Sequence, residues 1–176
     1  NHDKGEIVTE KYDNAMNVIL PLLENAQKYI YIYSFAFTDR TVMELLMRAS
    51  DRGVRVSVWM DYMMYASQKQ NAIRSFVALA KSVKNVFICR NPNGGLLHHK
   101  VIMIDDEILI LGSLNFSNNA VSSNDENFLV IRNAKPLINA FMLDAPRINQ
   151  YSKPMPMGDG TTGFYDDEWD TSAGGY

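Results

Sequence analysis

Two kinds of hydrophobic pattern alternate along this chain. The run YIYIYSFAF (29–37) is apolar at consecutive positions, which is typical of a strand covered on both faces. VRVSVWMD (54–61) and NVFICR (85–90) are further short runs that predict strands. The segments between them carry apolar residues at every third or fourth position, the spacing of helices with one buried face. The pattern therefore predicts strands that alternate with helices, as in α/β folds.

Capping and helix-breaking residues set the predicted helix boundaries. We expect a first helix to begin at Asp13 and to kink or restart at Pro21. A second helix is expected to run from a cap at Thr38 to a stop at Gly53. The same periodicity predicts two more helices, over 67–82 and from Arg132 to about Asn149.

The middle of the chain predicts a β-hairpin. HHKVIMI (98–104) and EILILGS (107–113) flank a tight turn at Asp105 and Asp106, and a further strand, ENFLVIR, follows. A hairpin places antiparallel strands in the sheet, so we expect a mixed β-sheet flanked by helices on both faces. Residues 1–150 are predicted to form this domain. From residue 151 to 176 the chain reads as an acidic, Gly- and Pro-rich C-terminal tail.

Charge and cysteine content narrow the possible partners. The net charge is −3, yet residues 155–176 hold five acids and neither Lys nor Arg. The remainder has 17 basic and 15 acidic residues, which permits a phosphate-bearing partner without requiring one. The single cysteine, Cys89, excludes a disulfide within the chain and a multi-cysteine zinc site.

The sequence leaves the cellular compartment open. No apolar run approaches the roughly 18 residues of a membrane-spanning helix. Because the first residue is Asn1 rather than Met, the domain is compatible with the cytoplasm or with export after removal of a leader. Membrane attachment would need a leader or anchor outside this chain.

Five polar residues around the predicted hairpin have the chemistry of a phosphate site. His98 and Lys100 are two positions apart and share a strand face, as do Ser113 and Asn115; Glu126 opens the next strand. Ammonium, amide and hydroxyl donors stabilise the negative charge that gathers on phosphate oxygens in a transition state. A neutral imidazole can attack phosphorus, and a carboxylate on its other nitrogen would fix its tautomer. The set predicts phosphoryl transfer with neither a metal nor a cofactor.

These residues resemble the motifs of the phospholipase D superfamily. Its HxKxxxxD signature stands here as His98, Lys100 and Asp105 at the required spacing. GSLNFS (112–117) resembles the GSxN segment of that family, and NDENFLVI (124–131) resembles the segment that carries its glutamate. YSFAFTDR and RGVRVSVWMD are similar to strands of the small single-motif bacterial nucleases in this superfamily. The resemblance implies a phospholipase D-like α/β/α sandwich.

The resemblance also implies a role for each motif residue. His98 would be the nucleophile that becomes phosphohistidine, and Glu126 would orient it. The phosphate-binding residues would be Lys100, Ser113 and Asn115. Asp105 faces the opposite side of its strand from Lys100, so it is expected to be structural rather than catalytic.

One copy of the motif implies an assembly. The family needs two HxK motifs for each active site, because the second histidine protonates the leaving oxygen. This chain has one such motif, so the resemblance implies a homodimer in which the two His98 side chains meet at a shared site.

Three functions are compatible with these observations. The first is a nuclease that cleaves single-stranded DNA or RNA, because the compact one-motif members that the chain resembles are mostly nucleases. The second is a phospholipid phosphodiesterase of the cardiolipin type. The third is a non-catalytic nucleic-acid-binding module, which binding without turnover would support.

Other features have structural explanations beside the functional ones. His99 is predicted to pack or to contact a substrate loop rather than to act in catalysis. The tyrosines of 29–33 are predicted to lie in the core rather than to stack on bases. WMDYMMY (59–65), at the edge of the site, is predicted to serve core and dimer packing rather than to form a substrate platform. FYDDEWD (164–170) alternates acids with aromatic residues. It is compatible with a solubilising tail, with a docking tag for a partner protein, and with an autoinhibitory mimic of single-stranded nucleic acid.

Overall fold

A computed structural model of the chain describes residues 15–68, 70–117 and 126–156, without the side chains of residues 70 and 71. Within these ranges the strands form one sheet in the order β6-β5-β4-β1-β2-β3-β7. β1, β2 and β3 are mutually parallel, whereas the other pairings are antiparallel. The predicted mixed sheet is confirmed. The strands are β1 (Tyr29–Ser34), β2 (Arg55–Asp61), β3 (Val86–Cys89), β4 (Lys100–Ile104), β5 (Ile108–Gly112), β6 (Phe128–Ile131) and β7 (Ser152–Pro154).

Helices cover both faces of this sheet, as predicted. The residues that α1, α2 and α4 bury join one apolar cluster with Ile30, Ile32 and their neighbours. α5 buries Ile138 and Ile148 in a second cluster on the opposite face. None of the helices in the described ranges combines the length and the apolar character needed to cross a membrane. The helices are α1 (Met16–Glu24), α2 (Arg40–Asp51), α3 (Tyr62–Ala66), α4 (Gln70–Val83) and α5 (Lys135–Asn149).

The tyrosines of β1 belong to the core, as their alternation predicts. Tyr29 and Tyr33 are buried in the cluster beneath α5, and Tyr31 packs against that cluster. The ring of Tyr33 stacks on Trp59 of the neighbouring strand, with centroids 4.3 Å apart. This aromatic layer fixes β1 and β2 side by side, so their carboxyl ends meet at one edge of the sheet.

The helices differ from the predicted ones in three features. α2 is capped by Asp39, whose carboxylate accepts a hydrogen bond from Val42 N at 3.1 Å, and not by Thr38. α1 continues through Pro21 without a restart, and its predicted cap, Asp13, lies outside the described residues. The helix predicted over 67–82 corresponds to α4, whereas the short helix α3, which precedes it, was not predicted.

The sheet also extends beyond the predicted domain boundary at residue 150. β7 pairs antiparallel with β3, with Ser152 opposite Cys89 and Pro154 opposite Phe87. Met155 is buried, and its N–H donates to Val86 O at 2.8 Å. An edge strand tolerates proline and lacks the apolar alternation of an inner strand, so the sequence of β7 has no strand pattern. The rest of the predicted tail, including residues 164–170, lies outside the described residues.

Candidate active site

The hairpin of β4 and β5 is anchored at its turn, far from the histidines. Asp105 and Asp106 both have positive φ, 58° and 62°, a conformation that aspartate tolerates better than most residues. The Asp105 carboxylate accepts hydrogen bonds from three successive backbone N–H groups, at 2.8, 2.8 and 2.9 Å, in the segment that leads into β1. At about 3.3 Å per residue, Asp105 lies about 17 Å along the strand from Lys100. These contacts tie β4 to β1 at the end of the sheet opposite the motif histidine.

His98 and Lys100 meet at the other end of β4. Lys100 is the first residue of that strand and pairs with Ser34 of β1. Its ammonium Nζ lies 3.2 Å from His98 Nδ1 and donates to the backbone oxygen of His98 at 3.0 Å. Burial lowers the pKa of Lys100, and the charge of Glu126 opposes that shift. His98 is exposed. The ammonium of Lys100 therefore lies beside an imidazole ring that a substrate can reach.

Phe35 forms an aromatic wall against this pair. Its ring centroid lies 4.6 Å from that of His98, and Lys100 Nζ lies 5.1 Å from it. A cation near an aromatic face is attracted by the ring quadrupole. Sequence reasoning did not select Phe35. The sequence signal for Phe35 is its position directly after the buried strand β1, which pairs with the strand that begins at Lys100 of the motif.

Ser113 and Glu126 form a second hydrogen-bonded pair. Ser113 Oγ donates to Glu126 Oε2 at 2.5 Å and accepts from Asn127 N at 3.0 Å. Ser113 N also donates to Asn127 O at 2.9 Å. Gly112 permits this approach, because a Cβ there would lie 2.2 Å from Asn127 O. The glycine of the GSxN segment therefore lets the ends of β5 and β6 close on each other.

Asn115 is held against the end of β1. Its side-chain oxygen lies 3.4 Å from Ala36 N, and the neighbouring Phe116 N donates to Ala36 O at 3.1 Å. Ala36 follows Ser34 by two residues, and Ser34 is the partner of Lys100. All predicted site residues except Asp105 thus lie at one end of the sheet. At this end β1 and β5 finish, and β4 and β6 begin.

His99 faces away from this site, as its position next to His98 predicts. Its backbone oxygen accepts from Phe35 N at 2.9 Å. Its ring packs edge-on to Phe141 of α5, with centroids 5.7 Å apart, and lies near Tyr33. Burial, followed by the charge of Arg147, lowers the pKa of His99. The ring is therefore a neutral packing group under α5.

A small pocket adjoins Phe35. Met64, Tyr65 and Phe76 form the apolar part of its lining, and Asp61 belongs to the polar part. Within the WMDYMMY segment, Met60 and Tyr65 are buried, as expected of core packing, whereas Met63 is 60% exposed. Leu96, two residues before His98, is also largely exposed. Apolar side chains therefore lie on the histidine side of the sheet edge.

The charged groups of the site suit an anion better than a cation. Lys100 supplies a positive charge beside the exposed imidazole, and the Ser113 hydroxyl lies in the same group of residues. In the described parts of the chain, no three His, Cys, Asp or Glu side chains gather as metal ligands. A phosphate bound here would meet an ammonium, a hydroxyl and a ring nitrogen.

Comparisons with known proteins show the family of the chain. The family model described as "Cardiolipin synthase, PLD-like domain" matches residues 19–142. A mitochondrial cardiolipin hydrolase of Xenopus tropicalis is 28% identical over 144 residues, covering 81% of this chain and 64% of the relative. A phospholipase D of Rickettsia prowazekii is 31% identical over 117 residues, covering 66% and 54%. The chain thus spans between about half and two thirds of the length of these relatives.

Two solved structures have the same fold. Nuc from Salmonella typhimurium, a phospholipase D family member, superposes with a TM-score of 0.69 at 24% identity, covering 80% of this chain and 90% of Nuc. NucT from Helicobacter pylori superposes with a TM-score of 0.68 at 23% identity, covering 80% and 91%. At these identities the likeness shows the fold alone.

Proposed function

Because this chain belongs to the family of phospholipase D-like domains, we propose that it is a metal-independent phosphodiesterase with His98 as its nucleophile. The observation that carries the proposal is the exposed imidazole of His98 with the Lys100 ammonium 3.2 Å from its Nδ1. The Ser113–Glu126 pair lies in the same group of residues. A nucleophile beside fixed donors is the arrangement that phosphoryl transfer needs.

The tautomer of His98 sets the first step. Attack by Nε2 requires a lone pair on that atom, so the ring proton must reside on Nδ1. Lys100 faces Nδ1 without substrate, and an ammonium favours the opposite tautomer because it donates to the nitrogen it faces. The phosphate of the substrate attracts the ammonium of Lys100 away from Nδ1. The ring proton then leaves Nε2 for water, and Nδ1 takes up a proton from water and donates it in a hydrogen bond to the carboxylate of Glu126. Substrate binding thereby makes Nε2 nucleophilic.

The chemical steps then balance within a homodimer. Nε2 of His98 forms a bond to phosphorus as the bond from phosphorus to the leaving oxygen breaks, and His98 of the partner subunit protonates that oxygen. Lys100 and Asn115 donate to the phosphate oxygens. The Ser113 hydroxyl joins them by turning from Glu126 to the phosphate, which leaves the carboxylate of Glu126 to His98. Water then attacks phosphorus and gives its proton to His98 of the partner subunit, while the bond from nitrogen to phosphorus breaks. Both histidines return to their starting states.

Single-stranded DNA or RNA is the proposed substrate. The chain resembles compact one-motif members of the superfamily, which are mostly nucleases. Outside the acidic residues 155–176, basic residues outnumber acidic ones by 17 to 15. A single strand can place its phosphate against the exposed His98 without separation from a complementary strand.

A phospholipid phosphodiester of the cardiolipin type is the second candidate. Two observations favour it: the relatives named cardiolipin hydrolase and phospholipase D, and the exposed Met63 and Leu96 on the histidine side. Apolar side chains beside an active site can contact acyl chains.

One cleavage experiment tests both the chemistry and the substrate. Labelled single- and double-stranded DNA, RNA and cardiolipin vesicles are each incubated with the protein in EDTA. His98→Ala is the test variant, and His2→Ala, which removes the histidine outside the motif, is the matched control. We expect oligonucleotide cleavage that survives EDTA, is retained in His2→Ala and is lost in His98→Ala. Cleavage of the lipid alone selects the second candidate, and full activity in His98→Ala refutes the proposed nucleophile.

A further inference from the structure

Asp61 joins the end of β2 to the loop that carries His98. It is the last residue of β2, and 2% of its surface is exposed. Carboxylate oxygen Oδ1 accepts from Met63 N at 2.9 Å and Met64 N at 3.2 Å, which caps α3. The other oxygen, Oδ2, accepts from Leu97 N at 2.8 Å. One carboxylate therefore holds two segments that lie 36 residues apart in sequence.

The bond to Leu97 constrains the backbone next to His98. Leu97 is 3% exposed, so its N–H has this carboxylate as partner inside the protein. On the other side of His98, the oxygen of His99 accepts from Phe35 N at 2.9 Å. The backbone around His98 is thus fixed on both sides, while its ring extends into solvent.

Capping α3 does not require a residue with two acceptor oxygens. α2 is capped by Asp39 through a bond to Val42 N, and serine or asparagine would serve such a position equally well. At Asp61 the second oxygen makes a contact outside the helix cap. An amide in its place would present N–H groups to the N–H of Leu97, so asparagine cannot satisfy both segments.

We propose that Asp61 is a positioning residue for His98, holding the histidine-bearing loop at the distance and orientation needed for attack on phosphorus. This inference rests on the proposed function, in which His98 is the nucleophile. Reacting atoms must lie about 3–3.5 Å apart, and a displacement of about 1 Å costs about 100-fold in rate. Loss of the bond to Leu97 therefore reduces the chemical step rather than the binding of substrate.

The test compares Asp61→Asn with Asp39→Asn in single-turnover cleavage. Both variants keep one oxygen for a helix cap, but the first alone replaces the oxygen that holds Leu97. We expect Asp61→Asn to lower the rate of cleavage about 10- to 100-fold, with KM changed by less than about threefold. Asp39→Asn, which is the matched control, should stay within about threefold of the unaltered protein in both quantities.

Three further measurements make the outcome unambiguous. Asp61→Ser caps α3 but is too short to hold Leu97, so it should reproduce the loss seen in Asp61→Asn, and the His98 ring resonances should broaden or shift in both. If either folded variant cleaves at the normal rate, or Asp39→Asn loses as much activity, the inference is wrong.

Should neither Asp61 variant fold, hydrogen exchange of the Leu97 amide in the unaltered protein decides, since fast exchange refutes the bond between Leu97 and Asp61. Activity in His98→Ala would instead refute the proposed function.

Discussion

Removing the carboxylate of Asp105 should destabilise the fold without altering the chemistry. The Asp105 side chain accepts from three backbone N–H groups, of which those of Gln27 and Lys28 are exposed and that of Tyr29 is partly buried. The two exposed donors can rebind water, so each bond contributes about 0.5–1 kcal/mol, and the partly buried one about 1–2 kcal/mol. Asp105→Gly should therefore cost about 2–4 kcal/mol of unfolding free energy. Asp105→Ala should cost more, because alanine at a φ of 58° adds strain of about 1 kcal/mol.

Asp105→Asn is the matched control for this series. Asparagine tolerates positive φ and keeps one oxygen, so it should cost about 1 kcal/mol, below both other variants. Urea unfolding followed by circular dichroism measures the three free energies. Because Asp105 lies about 17 Å along β4 from Lys100, folded Asp105→Asn should retain kcat within about threefold. Equal stability of all variants would refute the anchoring role, and a stable Asp105→Asn with a 100-fold loss of kcat would refute the separation of structure from chemistry.

Three other predictions concern the assembly, the sheet edge and pH. If two His98 residues share one site, a refolded equal mixture with His98→Ala should have about a quarter of the activity of the same total amount of unaltered protein, whereas independent sites would give about half. Gly112→Ala should cost about 1–3 kcal/mol in urea unfolding and lower kcat, because the new Cβ forces Asn127 and Ser113 apart; unchanged stability would contradict the close approach. Burial lowers the pKa of folded His99, so its stabilising effect is complete above about pH 6.5, the unfolded value, and is lost as the pH falls toward the folded value. His99→Leu should therefore flatten the dependence of unfolding free energy on pH between about 7.5 and 5.5; a slope equal to that of the unaltered protein would contradict this reasoning.

Apolar patterning predicts β1 to β5 because most side chains of these strands are buried on both faces. β1 shows this directly, since its tyrosines and isoleucines fill opposite cores. β7 was missed because an edge strand of three residues that includes Pro154 has no such pattern. Its pairing with β3 depends on a contact between distant segments, which local sequence does not encode.

The site residues that could be predicted are those in sequence motifs on neighbouring strands, where residues two positions apart share a face. The grouping of His98 with Lys100, and of Ser113 with Glu126, follows from a hairpin and the strand beside it. Phe35 and Asp61 could not be assigned in the same way. Phe35 directly follows β1, and Asp61 is the last residue of β2. Which side chains and N–H groups they contact depends on the parallel alignment of these two strands and on the path of the loop before β4.

Trapping of the covalent intermediate tests the proposed chemistry most directly. The protein is mixed with a single-stranded oligonucleotide in EDTA and quenched in base during the first turnover, and its peptides are analysed by mass spectrometry. We predict that the phosphoryl end of one cleavage fragment is bound to His98, is released by acid, and is absent in His98→Ala. Cleavage without an adduct on His98, or with an adduct on another residue, would contradict the assignment of His98 as the nucleophile.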